Sequence, residues 1–164
     1  MSVDQPIRDH NEIIAVTYRY ALALDTRDWA LLKDCFTPDA IADFGVWGKA
    51  VGVEQIIAAA RPVMEGMERT QHMIMNHLIT LKGNEADCVC YLVAEHLLTA
   101  AAGSSTSTTR GLYRDRFVRT PAGWRIVARQ LEVTWRDGNI GIFDEALRRF
   151  TAGTKTATAS VEAQ

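Results

Sequence analysis

Between Arg8 and Leu24 the less polar positions Ile13, Ile14, Val16, Thr17, Ala21 and Leu24 recur every three or four residues, the spacing of an amphipathic helix. A break at Asp25-Thr26 leads into a short second helix, Asp28 to Cys35, with Trp29, Leu32 and Phe36 turned inward. Thr37-Pro38-Asp39 is expected to end it, because proline cannot continue the hydrogen-bond ladder and restrains the residue before it. Ala40 to Phe44 and Lys49 to Val51 then read as a hairpin of short strands. Gly52-Val53-Glu54 opens a third helix that carries Ile56, Ile57, Ala60, Val63 and Met64.

After Glu68 the period changes from helical to alternating. Residues 70–82, 86–100, 106–119 and 123–136 read as four long strands, separated by turn sequences at Lys82-Gly83-Asn84, Ala102-Gly103-Ser104-Ser105 and Thr120-Pro121-Ala122-Gly123. Short links between long strands predict an antiparallel meander. A last short helix is expected from Ile142 to Phe150. Helices first and strands afterwards argue for an α+β fold: a curved antiparallel sheet forming a cone-shaped α+β barrel, closed by three N-terminal helices and open at one mouth. Pockets in such a shape are concave and mostly apolar, with few polar groups.

The size of the chain, 164 residues, suits one domain with a full core, assigned here to residues 8–150. Residues 1–7 form an N-terminal arm, and the small, polar stretch 151–164 is expected to be a loose tail. A net charge of -2 offers no basic face for nucleic acid. No apolar run approaches the ~20 residues of a membrane span, and the N-terminus lacks the charged start and apolar block of a signal peptide. The expected location is therefore the cytoplasm, where Cys35, Cys88 and Cys90 are free, buried thiols. The four histidines (His10, His72, His77, His96) show no metal-binding spacing, and no phosphate-cradling glycine loop is present, so neither a metal nor a cofactor is expected.

The residues able to carry chemistry are few, and each also has an ordinary structural reading. Asp25 stands where an acidic side chain often caps the next helix. His72, in the strand-opening Arg69-Thr70-Gln71-His72-Met73-Ile74-Met75-Asn76-His77, is either an interior histidine bonded to backbone or a proton carrier. Strict alternation puts His72, Ile74, Asn76 and Leu78 on one face and His77 on the other. Asn76 is then a candidate to orient a substrate, and His77 is structural or interfacial. His96 shares a face with Cys88, Cys90 and Ala94. Phe44, Trp47, Met64, Met73, Trp135 and Phe143 are candidates to line an apolar pocket, or else plain core. Trp29 and Trp124 are read as core, and the run Arg114-Asp115-Arg116 as alternating across a sheet.

The order of elements and four motifs, Leu24-Asp25-Thr26-Arg27-Asp28-Trp29, Thr70-Gln71-His72, Gly123-Trp124-Arg125-Ile126 and Thr134-Trp135-Arg136-Asp137-Gly138-Asn139, resemble the SnoaL-like branch of the nuclear-transport-factor-2-like superfamily. Within it the chain resembles the scytalone dehydratase, bile acid 7α-dehydratase and hexachlorocyclohexane dehydrochlorinase group over residues 8 to 150. The resemblance implies that Asp25 and His72 form a catalytic dyad inside the cone. It also implies that Tyr20, five residues before the aspartate, joins them, as in the bile acid enzymes. Two tyrosines of scytalone dehydratase are replaced here by Leu24 and Phe44, and its second histidine is matched loosely by His96.

A histidine titrates near neutrality, with an ordinary pKa of about 6.5, and a carboxylate partner fixes its tautomer. Together they suit removal of a proton α or vinylogous to a carbonyl, followed by loss of water. The expected activity is a cofactor-independent lyase, a dehydratase of a small hydrophobic cyclic carbonyl substrate. The alternatives are an isomerase or cyclase using the same base, a non-catalytic subunit like the β subunits of ring-hydroxylating dioxygenases, and a ligand-binding module. The resemblance further implies a homo-oligomer, a trimer before a dimer.

Overall fold

Helix α1 (Asp4–Thr26) lays Ile13, Val16, Thr17, Tyr20, Ala21 and Leu24 into the core on one stripe, so the predicted period is the observed one. The helix starts four residues before Arg8. In this computed structural model the backbone of residues 4–162 and the side chains of residues 4–153 are described. The arm proposed at 1–7 therefore lies partly outside the described residues. Helix α2 (Trp29–Lys33) follows, capped by Asp28, whose carboxylate accepts from the Leu31 N–H at 2.9 Å.

Strand β1 (Phe36–Asp43) begins earlier than the sequence suggests and contains Pro38. The missing N–H of Pro38 is absorbed by a register shift between Phe36 and Ile41 in the pairing with the last strand. A 3-10 turn (Gly45–Trp47), strand β2 (Lys49–Val51) and helix α3 (Val53–Gly66) come next. The meander consists of β3 (Arg69–Lys82), β4 (Glu85–Leu97), β5 (Thr106–Thr120) and β6 (Gly123–Gly138), all antiparallel neighbours.

The six strands run in the order β2-β1-β6-β5-β4-β3. One contact departs from the antiparallel expectation: β1 pairs with β6 in parallel, so the sheet is mixed and unclosed. The cause is the path of α3, which leaves β2 at one edge and delivers the chain to β3 at the other. The four-strand meander then returns to β1 pointing the same way.

The cone is filled by the inward faces of these strands and by α1, and Trp124, Phe117, Ile126, Leu32 and Ile13 are almost wholly buried. At the narrow end Trp124 Nε1 and Arg119 donate to the Asp9 carboxylate at 3.1 and 2.7 Å. These bonds, Arg119's above all, outweigh the burial of Asp9 and hold its pKa down to about 2. Cys35, Cys88 and Cys90 are buried and free. Burial pushes the Cys35 thiol up to about 11, which leaves it inert at neutral pH.

Helix α4 (Ile142–Glu162) extends past the Phe150 end expected from sequence. The segment 151–164 thus begins helical, and its side chains from 154 onward lie outside the described residues. Ile142, Phe143 and Ala146 pack on Met67 and Leu98 as a small core of their own at the mouth of the cone. Gly66 of α3 lies tightly against α4, where an added Cβ would stand 2.1 Å from the Ala146 carbonyl oxygen. Gly66→Ala is expected to push α4 off the mouth, lowering stability by about 2 kcal/mol as overpacking does. A thermal melt unchanged from wild type would contradict this.

Candidate active site

Asp25 closes the last turn of α1 and faces the first residues of β3. Its Oδ1 accepts from the Thr70 hydroxyl at 2.9 Å and contacts His72 Nδ1 at 2.7 Å; its Oδ2 accepts the His72 backbone N–H at 2.7 Å. Burial alone would raise the Asp25 pKa, but the bonds from the His72 ring, the His72 backbone and Thr70 outweigh it and the net shift is downward. An ionised carboxylate only accepts, so Nδ1 carries a proton and donates it. In the neutral ring the lone pair is then on Nε2.

The His72 side chain is only 5% exposed, and it lines a cavity of about 310 Å³ inside the cone. The walls are mostly apolar: Leu24, Phe44, Trp47, Val63, Met64, Leu92, Leu131, Phe143 and Leu147 face it. The polar groups among the lining residues are His72, His96, Tyr20, Tyr113 and Thr109.

Five of the eight residues proposed from sequence as substrate contacts therefore line the cavity: Phe44, Trp47, Met64, His96 and Phe143. Three do not. Met73 pairs with Val93 directly after His72 pairs with Ala94, so it lies on the opposite strand face. Asn76 is exposed, because a bulge between Met75 and Leu78 inserts one extra residue into β3. Asn76 has a φ of 55° there, a left-handed conformation that asparagine tolerates better than most residues.

The same bulge overturns the alternation predicted for His77. Its ring turns back onto α1, with Nε2 at 2.7 Å from Thr17 Oγ1. The Thr17 hydroxyl already donates to the Ile14 carbonyl, so His77 Nε2–H is the donor in this pair. Trp135 is displaced in the same way. Gly111 pairs with Val133 and Arg110 with Trp135, so Thr134 is the extra residue, and Trp135 stands 52% exposed under the Arg110 guanidinium.

His96 meets the His72 ring edge to face at 5.6 Å and Phe143 at 4.9 Å. Burial, then the neighbouring His72, lower its pKa to about 3, so it is neutral at physiological pH. Its Nδ1 has no hydrogen-bond partner among the described residues, and neither has the buried Thr109 hydroxyl.

Tyr20 is buried beside the cavity, with its hydroxyl 3.4 Å from that of Tyr113. The Arg129 guanidinium lies 4.0 Å from the Tyr20 ring centre and 3.9 Å from that of Tyr113. Arg129 in turn makes a two-point ion pair with Asp115, at 2.8 and 2.6 Å, and both side chains are 0% exposed. Burial first of all holds the Tyr113 hydroxyl well above its usual pKa, and therefore protonated.

Sequence reasoning missed Tyr113, Asp115 and Arg129. The signal was present on β5, since Asp115 alternates onto the buried face between the aromatic residues Tyr113 and Phe117. Among the described residues no group of three or more His, Cys, Asp or Glu side chains is placed to hold a metal ion. No helix among them is long and apolar enough to cross a membrane.

Comparison with known proteins gives the family and the fold. The sequence matches the SnoaL-like domain family over residues 5–130. It is 31% identical over 130 residues to an uncharacterized protein of Mycobacterium tuberculosis, covering 75% of this chain and 84% of that one. In three dimensions it is similar to a candidate scytalone dehydratase from Novosphingobium aromaticivorans, with a TM-score of 0.76, 20% identity and coverage of 83% of this chain and 91% of that one. It is also similar to a hexachlorocyclohexane dehydrochlorinase, LinA type 2, with a TM-score of 0.74, 14% identity and coverage of 83% and 92%. The chain belongs to the SnoaL-like domain family, built on the cone-shaped α+β fold of the nuclear-transport-factor-2-like proteins.

Proposed function

We propose that this protein is a lyase of the dehydratase type, acting on a small, hydrophobic cyclic carbonyl compound without a cofactor. The observation that carries the reading is the 2.7 Å contact between His72 Nδ1 and Asp25 on the wall of an apolar cavity. A carboxylate behind the ring fixes the tautomer and favours the imidazolium that forms when Nε2 takes a proton. The cavity volume is at the lower end of ligand pockets, roughly 300–1,000 Å³, and suits one or two fused rings.

In the proposed reaction Nε2 removes the proton α or vinylogous to the carbonyl, and the C–H electrons enter the conjugated system as an enolate. The enolate then expels the β-oxygen; the C–O bond breaks, a C=C bond forms, and the proton held on His72 leaves with the oxygen as water. Tyr20 is the catalytic hydroxyl proposed to hydrogen-bond the carbonyl. Tyr113 and the buried Arg129 cation favour negative charge at that end of the cavity. The kinship with proteins named as a dehydratase candidate and a dehydrochlorinase supports an elimination.

The test is to incubate the enzyme in deuterated water with β-hydroxy ketones of one and two rings. Mass loss equal to water, with deuterium at the α carbon of recovered substrate, is expected. Isomerisation would leave the mass unchanged apart from deuterium. Asp25→Asn should lower kcat roughly 10²–10⁴-fold by releasing the ring tautomer. Full activity in that variant would remove Asp25 from the mechanism. Exposed apolar side chains on the sheet, Leu78, Tyr91 and Trp135 among them, further suggest a homo-oligomer that covers this face.

A further inference from the structure

The turn that carries Asp25 is fastened by a residue for which the proposed chemistry has no direct use. Arg27 has a φ of 58°, a left-handed conformation that an L side chain adopts at a cost of about 1 kcal/mol. Its guanidinium joins three elements. Nε donates to the Met64 carbonyl at 3.0 Å and Nη2 to that of Met67 at 3.4 Å, at the end of α3. Nη1 donates to the Asp25 carbonyl at 2.6 Å and to Thr70 Oγ1, at the start of β3, at 2.9 Å.

The direction of these bonds matters more than their number. A threonine hydroxyl has a single proton and rotates to suit its partners. Arg27 can only donate, so it occupies a lone pair of Thr70 Oγ1 and leaves the proton for another acceptor. That acceptor is Asp25 Oδ1 at 2.9 Å, the same oxygen that His72 Nδ1 meets.

We infer that Arg27 and Thr70 are positioning residues for the Asp25–His72 pair: Arg27 sets which way the Thr70 hydroxyl points, and Thr70 holds Asp25 Oδ1 in line with His72 Nδ1. A guanidinium is suited to this because its planar fork reaches several acceptors at fixed angles, which an ammonium cannot copy. Burial works against ionisation of the Asp25 carboxyl, and the Thr70 bond, after the larger His72 contacts, is among those that keep it ionised. The inference rests on the reading of His72 as the base, but its test follows a proton on the ring and needs no substrate.

The experiment is proton NMR of the full-length chain with 15N-labelled histidine. Wild type should show a far-downfield, slowly exchanging Nδ1–H, assigned to His72 by its disappearance in His72→Gln. Thr70→Val, which keeps the shape of the side chain, should speed exchange of that proton about tenfold, the scale of one lost hydrogen bond. It should also move the Asp25 titration upward. Thr70→Ser should restore both, Arg27→Met should reproduce the valine variant, and Arg27→Lys should recover only part. Arg27→Met also uncaps two helices, so Thr70→Val decides the question, with its thermal melt recorded alongside. A Thr70→Val protein with a native melt and an unchanged His72 signal overturns the inference. So does a Thr70→Ser protein that fails to restore the signal.

Discussion

His72→Ala is expected to lower kcat/KM roughly 10³-fold, within the range that a positioned general base contributes, while leaving the fold intact. The first half follows from Nε2 being the ring atom left with a lone pair on the cavity wall once Nδ1 is spent on Asp25. His96 cannot take over well. Its pKa of about 3 makes it a weak base, and its ring lies 5.6 Å from that of His72, too far to occupy the same place. The second half follows from how Asp25 is held. Without the imidazole its carboxylate still accepts from the Thr70 hydroxyl and from the backbone N–H of position 72, so no buried charge is stranded. Turnover within tenfold of wild type, in a variant of unchanged circular dichroism, would assign the base elsewhere. A variant that lost its fold would show the histidine to be a structural part of the core.

Asp115→Ala should lower stability by about 3–5 kcal/mol, because it strands the Arg129 guanidinium without a counter-charge. Both side chains are fully buried, and one Arg129 nitrogen, Nη1, already lacks a partner among the described residues. For a chain of this length that loss lowers Tm by roughly 6–20 °C. Combining it with Arg129→Met should recover much of the stability, since removing both members of a buried pair costs far less than removing one. The double variant has no cation beneath Tyr20 and Tyr113, so it should remain slow even where it is stable. Denaturant melts of the single and double variants measure the first effect and steady-state turnover the second. A single variant within 1 kcal/mol of wild type would show that water reaches the guanidinium.

Much of the fold was legible because its elements are long and their periods clean. The stripe from Ile13 to Leu24 and the four long strands of the meander appear close to where the hydrophobic pattern puts them. Pro38 misled, since a proline was read as a helix stop when it is a strand residue beside a register shift. The parallel pairing of β1 with β6 could not be read either. Turn sequences specify neighbours joined by short loops, whereas this contact is made across a crossover and most of the chain.

At the site, residue chemistry and resemblance were enough to bring Asp25, His72 and Tyr20 together as candidates, and alternation grouped His96 with Cys88, Cys90 and Ala94, the face that proves to be buried. The errors at Asn76 and Trp135, and in the strand face given to His77 (its structural reading agrees with its bond to Thr17), share a cause: one extra residue in a strand turns every later side chain to the other face. Nothing in composition announces such a bulge, although an asparagine at a left-handed position was a faint sign of the one in β3. The Asp115–Arg129 pair was hidden for another reason. A charge is affordable inside the cone only if its partner arrives from the adjacent strand, and that meeting is a property of β5 lying against β6. Periodicity along the chain thus settled which elements form and which faces they bury. The register of those faces against one another, and with it the polar floor of the cavity, was decided only when the sheet curved around its core.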